Sequence, residues 1–330
     1  MPLSDRIFTA NEQNFNELSL EIFQFQYSSC EIYRKYVNNL NISPESISHF
    51  TEIPFLPISF FRTHKVIQSE NYEEVFESSG TTSNQTSRHY IKESHLYKES
   101  LTRAFELFVG PVKDYCILAL LPGYLERKNS SLVFMVNHLM EKSSSPDSDF
   151  YLYDRDKLCR KLEELEEKNE KYILFGVSFA LMDLSSEIEN RGLNLSNAIV
   201  FETGGMKGKR KEIVRDELHS ILKKALGASE IFSEYGMTEL LSQAYYTNQN
   251  SFRTPPWMKV LGREINDPLS NKKSGRNLAL NVIDLANVNS CSFIATDDLG
   301  TIHSNGSFEV LGRMDHSIAR GCNLLLEPDK

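Results

Sequence analysis

Phe15, Leu18, Ile22, Phe25, Ile32 and Tyr36 recur at mixed three- and four-residue spacing, which predicts helix over residues 12–40. Pro54 and Pro57 interrupt the apolar run 53–58, restricting the backbone and removing donors, so that run reads as an extended connector. Val75 and Phe76 end a short strand ahead of a run of small residues. The pattern then predicts helix at 94–109, a strand at 115–121 closed by a Leu-Pro-Gly turn, and an amphipathic helix at 130–141. Residues 143–149 read as an exposed polar loop, and 157–171 as a helix whose charge run is a solvated face. Buried strands at 172–175 and 198–202 are separated by a further helix, and a helix at 210–226 precedes the short strand Ile231-Phe232. The apolar run 174–182 reads as core, with the lining of an acyl tunnel as the alternative. This alternation implies an α/β fold, a sheet covered by helices. The final third changes to shorter strands at 278–283, 292–295 and 307–311, a smaller strand-rich portion, and no internal repeat is visible.

Composition narrows the class. With 330 residues, 40% of them apolar and 25% charged, the chain has the balance of a soluble globular protein with a substantial core. A formal charge of -9 argues against a broad nucleic-acid surface. Asp5, Glu12 and Glu17 break any apolar run near the start, so no secretory signal is expected, and stretches such as 116–122 are too short to span a bilayer. The five cysteines are dispersed without a close pair, which suits a reducing cytoplasm rather than a disulfide framework or a zinc knuckle.

The densest candidate chemistry lies at residues 78–88, Ser-Ser-Gly-Thr-Thr-Ser-Asn-Gln-Thr-Ser-Arg. Small residues let the backbone approach an anion, while hydroxyls and an arginine supply donors. The spacing is not that of a Walker A loop, and an exposed polar turn is the plain alternative.

Further segments follow in a telling order: Phe201-Glu202-Thr203-Gly204-Gly205, Tyr235-Gly236-Met237-Thr238-Glu239, Thr296-Asp297-Asp298-Leu299-Gly300 and Gly312-Arg313-Met314-Asp315. Together with Ser78-Ser79-Gly80-Thr81-Thr82 they resemble the acyl-protein synthetases of the bacterial bioluminescence fatty-acid reductase system, a short branch of the adenylate-forming enzymes. The resemblance implies the large amino-terminal domain of that fold, with stacked α/β layers and the full carboxy-terminal lid domain absent. It divides the chain into a helical region packed on the core (1–75), an acyl-adenylate-forming domain (76–315) and a short tail (316–330).

The implied cofactors are ATP and Mg2+. Ser79, Gly80, Thr81, Thr82 and Ser83 would hold phosphates, assisted by Arg88, for which a surface ion pair is the competing reading. Gly204 and Gly205 would let the backbone pass close to adenine or acyl substrate; the neighbouring basic residues Lys207, Lys209, Arg210 and Lys211 read as a solvated helix edge. Tyr235 offers a face for adenine or is a core aromatic, with Gly236 beside it. Thr238 would contact the α-phosphate and Glu239 would hold magnesium. Asp298 would accept from the ribose hydroxyls, although Asp297 stands where the family has glycine. Arg313 would bind ribose or phosphate, and Asp315 would be the hinge.

The domain that brings the usual lid lysine is not expected here, and Lys330, the sole basic residue after Arg320, is too weak a cue to stand in for it. Arg320-Gly321-Cys322-Asn323-Leu324 resembles the tail in which these synthetases carry an acylated cysteine, and Arg320 would favour the Cys322 thiolate. The expected activity is therefore activation of a carboxylic acid, a fatty acid above all, followed by transfer to Cys322 and delivery to a reductase or acyltransferase. Thr238, Glu239 and Cys322 are the catalytic candidates. The alternatives are a ligase using coenzyme A or another soluble thiol, and a noncatalytic nucleotide-binding subunit.

Overall fold

The helix expected over 12–40 is two helices, Phe15–Ser29 and Glu31–Asn39, broken at an extended Cys30. The hydroxyls of Ser28 and Ser29 both donate to the Phe25 carbonyl, at 2.8 and 2.6 Å, and Arg34 takes the Ser28 carbonyl. Side chains that bond back to nearby backbone compete with helix continuation. The computed structural model describes residues 2–78, 86–121, 129–151, 154–204, 215–247 and 250–314. The chain divides into two compact units, one of residues 1–100, 237–242 and 253–330, the other of 101–236 and 243–252.

In the first unit the strands Met258–Glu264, Gly275–Asp284, Phe293–Ile302 and Phe308–Arg313 form an antiparallel run, with Asp267–Lys272 on its edge. The proline-containing connector contributes a strand: Leu56 and Pro57 pair in parallel with Ile294 and Ala295. The two amino-terminal helices are fastened to this sheet through a buried aromatic cluster, in which Tyr33 stacks on Phe293 at 6.2 Å and Phe23 meets Tyr33 edge-on at 6.0 Å. Each such fully buried ring contributes about 1.5–3 kcal/mol by area. Gln26, also buried, donates to the carbonyls of Asn287 and Val288 and accepts from the Ser292 amide. A separate hairpin pairs Glu74–Glu77 with Arg88–Ile91 and places Phe76 opposite His89.

In the second unit the strands Asp149–Phe150, Cys116–Leu120, Tyr172–Val177, Ala198–Thr203 and Glu230–Tyr235 are parallel neighbours in that order, and Ala244–Tyr246 pairs antiparallel with the last of them. Cys116–Leu120 and Tyr172–Val177 are buried at every position, as expected of strands covered on both faces. Ser131–Ser143, Arg155–Glu167, Ser178–Arg191 and Arg215–Leu226 are among its helices, and Ser94–Phe108 runs into it from residue 101. Phe201 centres the core, stacked on Phe175 at 4.7 Å and perpendicular to Phe232 and Tyr245. The 174–182 run lies in these buried elements, the core reading of that segment. The 143–149 segment is partly inside: Ser143 is buried and its hydroxyl meets that of Ser148, which accepts from the Ile117 amide. Among the described residues Cys30, Cys116, Cys159 and Cys291 are buried free thiols, and no helix is long and apolar enough to cross a membrane.

Candidate active site

In the second unit, polar residues collect where the buried parallel strands end. The register aligns Gly176, Glu202 and Ser233, then Val177, Thr203 and Glu234. Such carboxyl ends are where open α/β sheets leave room for ligands. Glu202 is buried; its carboxyl accepts from Ser233 Oγ at 2.8 Å, with Arg215 Nε 4.0 Å away. The Ser178 hydroxyl lies between the Glu202 carboxyl and the Gly204 carbonyl, 2.7 Å from the latter. Thr203 donates to Glu234 at 2.8 Å. Burial pushes the Glu234 carboxyl up to about 7, the Glu202 charge adds to this, and the Thr203 hydroxyl opposes it. His219 sits 2.8 Å from Ser233 Oγ and is brought down to about 4 by burial, so it is neutral at pH 7.

Gly204 has φ +71°, a left-handed conformation that favours glycine. At Gly236 a Cβ would lie 2.2 Å from Glu234 Oε1, so a side chain there would displace the acid. Tyr235 is buried and tilted against Phe252 at 5.8 Å.

The Tyr235–Glu239 segment passes from the second unit into the first between Gly236 and Met237. There its backbone is held by side chains distant in sequence. His89 Nδ1 lies 2.9 Å from the Thr238 carbonyl, and Asn287 Nδ2 donates to the Glu239 carbonyl at 2.7 Å. Asp284 accepts from the Leu241 and Ser242 amides at 2.7 and 2.9 Å, from Ser242 Oγ, and from the Ala286 amide. Burial pushes Asp284 up to about 6 against those four donors.

Glu239 is only 5% exposed. Burial raises its carboxyl above the ordinary range, while a hydrogen bond from Ser87 and the charges of Arg313 and Arg62 pull it back. Arg313 Nε also lies 3.2 Å from Asp298 Oδ1, and Arg62 lies 3.9 Å from Asp297. Asp298 is buried with its amide on Thr296 Oγ1, whereas the Asp297 carbonyl takes the Met314 amide. Thr296 is itself anchored by the buried Arg263, which also bonds Leu280 and Asn281. Arg88 Nε pairs with Glu77 at 3.0 Å on the exposed face of the hairpin.

Thus Thr238, Glu239, Asp298 and Arg313 share the first unit, and Gly204, Tyr235 and Gly236 share the second. Ser79, Gly80, Thr81, Thr82, Ser83, Gly205, Asp315 and Cys322 lie outside the described residues. Ser78 and Ser87 join at the base of the 79–85 segment, the Ser78 amide donating to the Ser87 carbonyl at 3.0 Å and the Ser87 amide to Ser78 Oγ at 2.9 Å. Sequence reasoning placed Ser87 within the donor-rich run but missed Arg62, His89, Asp284 and Asn287 in one unit and Ser178, Ser233 and Glu234 in the other. Ser87, Arg88 and His89 are all polar, so the burial of the first and third around an exposed second left no signal in the sequence.

Solved acid–CoA ligase structures share this fold. An open-conformation structure of 2-hydroxyisobutyryl-CoA ligase in complex with 2-HIB-AMP and CoA superimposes with TM-score 0.70 at 12% identity, covering 94% of this chain and 77% of that one. The same ligase in its postadenylation state gives 0.67 at 11% identity, over 94% and 70%. A long-chain-fatty-acid–CoA ligase from Archaeoglobus fulgidus gives 0.55 at 13% identity, over 74% and 52%. No curated protein matches the sequence. The family model for acyl-protein synthetase, LuxE, matches residues 5–329, and the chain belongs to that family. It is an ATP-using, AMP-forming ligase that activates an acid.

Proposed function

We propose that the protein converts a fatty acid and ATP to a bound acyl-adenylate and then carries the acyl group on Cys322 as a thioester for a partner reductase or acyltransferase. The observation that most supports the nucleotide half is the position of Arg313, which acts on both Glu239 and Asp298 although they lie far apart in sequence. A nucleotide needs a carboxylate for its ribose, cations for its phosphates and an acid for its metal, and that grouping supplies each type.

In the first half-reaction a carboxylate oxygen attacks the α-phosphorus and the bond to pyrophosphate breaks. Asp298 accepts from the ribose hydroxyls, Thr238 contacts the α-phosphate, and Arg313 and Arg62 offset charge as it builds on the phosphoryl oxygens. Magnesium supplies charge neutralisation on the triphosphate when bound. One buried carboxylate suits an ion held mainly by phosphates and water, and among the described residues no cluster of three metal-ligating side chains occurs. Glu239 is the residue to hold it. In the second half-reaction the Cys322 thiolate attacks the acyl carbon, the C–S bond forms, and AMP leaves with the electrons of the C–O bond.

The test is intact-protein mass after incubation with ATP, Mg2+ and a fatty-acid mixture. An acyl adduct that hydroxylamine removes and that Cys322→Ser lacks is the expected result. Acid-dependent exchange of pyrophosphate into ATP with no adduct on the native chain would replace this reading with a soluble-thiol ligase.

A further inference from the structure

We infer that His89 is a positioning residue for the adenylation step, its imidazole holding the Thr238 carbonyl so that the neighbouring Glu239 carboxylate keeps one aim; this rests on the adenylate-forming reading above. The proton assignment follows from chemistry. A carbonyl oxygen only accepts, so the nitrogen 2.9 Å from it, Nδ1, carries the hydrogen. His89 is wholly buried, and burial lowers its basicity to about 4, leaving a neutral ring whose Nε2 has no hydrogen and no partner among the described residues. The ring stands edge-on to Phe61, 5.5 Å between centroids. An imidazole in this tautomer and this place therefore has one polar function, the bond to Thr238.

The hairpin doubles the hold. Ser87 and His89 lie two residues apart in extended chain and are both buried, while Arg88 between them is exposed. One face of this segment thus presents a hydroxyl to the Glu239 carboxylate and an N–H to the Thr238 carbonyl. Asn287 takes the next carbonyl and Asp284 the amides of 241 and 242. The backbone on either side of Glu239 is pinned from two directions, which is how a charged group is kept at a productive geometry.

Three substitutions separate this from bulk packing. Asn places an N–H near the position of Nδ1, Gln places one near Nε2, and Phe keeps the ring without a donor. Acid-dependent pyrophosphate exchange and amide hydrogen exchange over residues 237–242 are measured for each. His89→Phe and His89→Gln are expected to lower kcat about tenfold, the size of one lost hydrogen bond, with the KM for ATP little changed, and to speed amide exchange. His89→Asn is expected to retain kcat within about threefold and to keep the amides protected. Equal effects of Asn and Gln, or an unchanged kcat with unchanged protection in His89→Phe, would overturn the inference. If the native protein shows no pyrophosphate exchange with any acid, the adenylation reading fails, and amide protection alone then decides whether His89 holds the segment.

Discussion

Glu239 combines three constraints that ordinary surface glutamates lack: burial, a hydrogen bond from Ser87, and two nearby guanidinium groups. Removing its charge while keeping its shape should leave folding nearly intact and weaken the phosphate chemistry. Glu239→Gln is expected to reduce acid-dependent pyrophosphate exchange roughly 100-fold, comparable to losing one preorganised electrostatic contact, and to raise the Mg2+ concentration needed for half activity. An unchanged magnesium dependence would remove Glu239 from its proposed role. Glu234 makes a different prediction. Its folded-state carboxyl titrates near 7 instead of 4.5, so the folded chain binds a proton more readily than the unfolded one. The stability this contributes is full below about 4.5 and is lost as pH rises through about 7. The unfolding free energy of the native protein in urea titrations should fall relative to Glu234→Gln between pH 5 and 8, by about 2 kcal/mol after allowing for a side chain that is only partly buried. Parallel pH curves for the two proteins would mean that Glu234 does not carry the raised value.

At the scale of elements, the parallel strands of the second unit depend on a continuous aromatic core, with Phe201 packed between Phe175 and the perpendicular rings of Phe232 and Tyr245. Phe201→Ala is expected to cost about 3–5 kcal/mol, read as a lower urea midpoint, because the surrounding rings cannot collapse far into the space. That strand was legible in the sequence, as were Tyr172–Val177 and Glu230–Tyr235, because unbroken apolar runs between turn signals have few other fates. The break at Cys30 was not, since it depends on which carbonyls Ser28 and Ser29 select. Nor was the strand at Leu56–Pro57, whose partner lies at residues 294–295. The same limit applies to the candidate site. Glu239, Asp298 and Arg313 stand in short recognisable strings, whereas His89, Asp284 and Asn287 act through backbone contacts that span up to 149 residues of sequence, from 89 to 238, and leave no local pattern.

For the whole molecule, the proposed acyl carrier distinguishes this chain from a ligase that hands its product to a soluble thiol. If the acyl group ends on Cys322 of the same chain, each molecule can complete the two steps once and must then wait for an acceptor. The thiolate displaces AMP, and the resulting thioester blocks a second transfer until another nucleophile removes the acyl group. Without an acceptor, pyrophosphate release from the native protein should therefore show a burst of about one equivalent per chain followed by a slow phase set by hydrolysis. Hydroxylamine should restore steady turnover by cleaving the thioester. Cys322→Ser should keep pyrophosphate exchange while losing the hydroxylamine-sensitive protein adduct, since the adenylating residues are untouched. Steady turnover that requires coenzyme A, with no burst and no dependence on Cys322, would instead assign the second half-reaction to a diffusible acceptor while leaving the adenylation chemistry of Glu239, Asp298 and Arg313 in place.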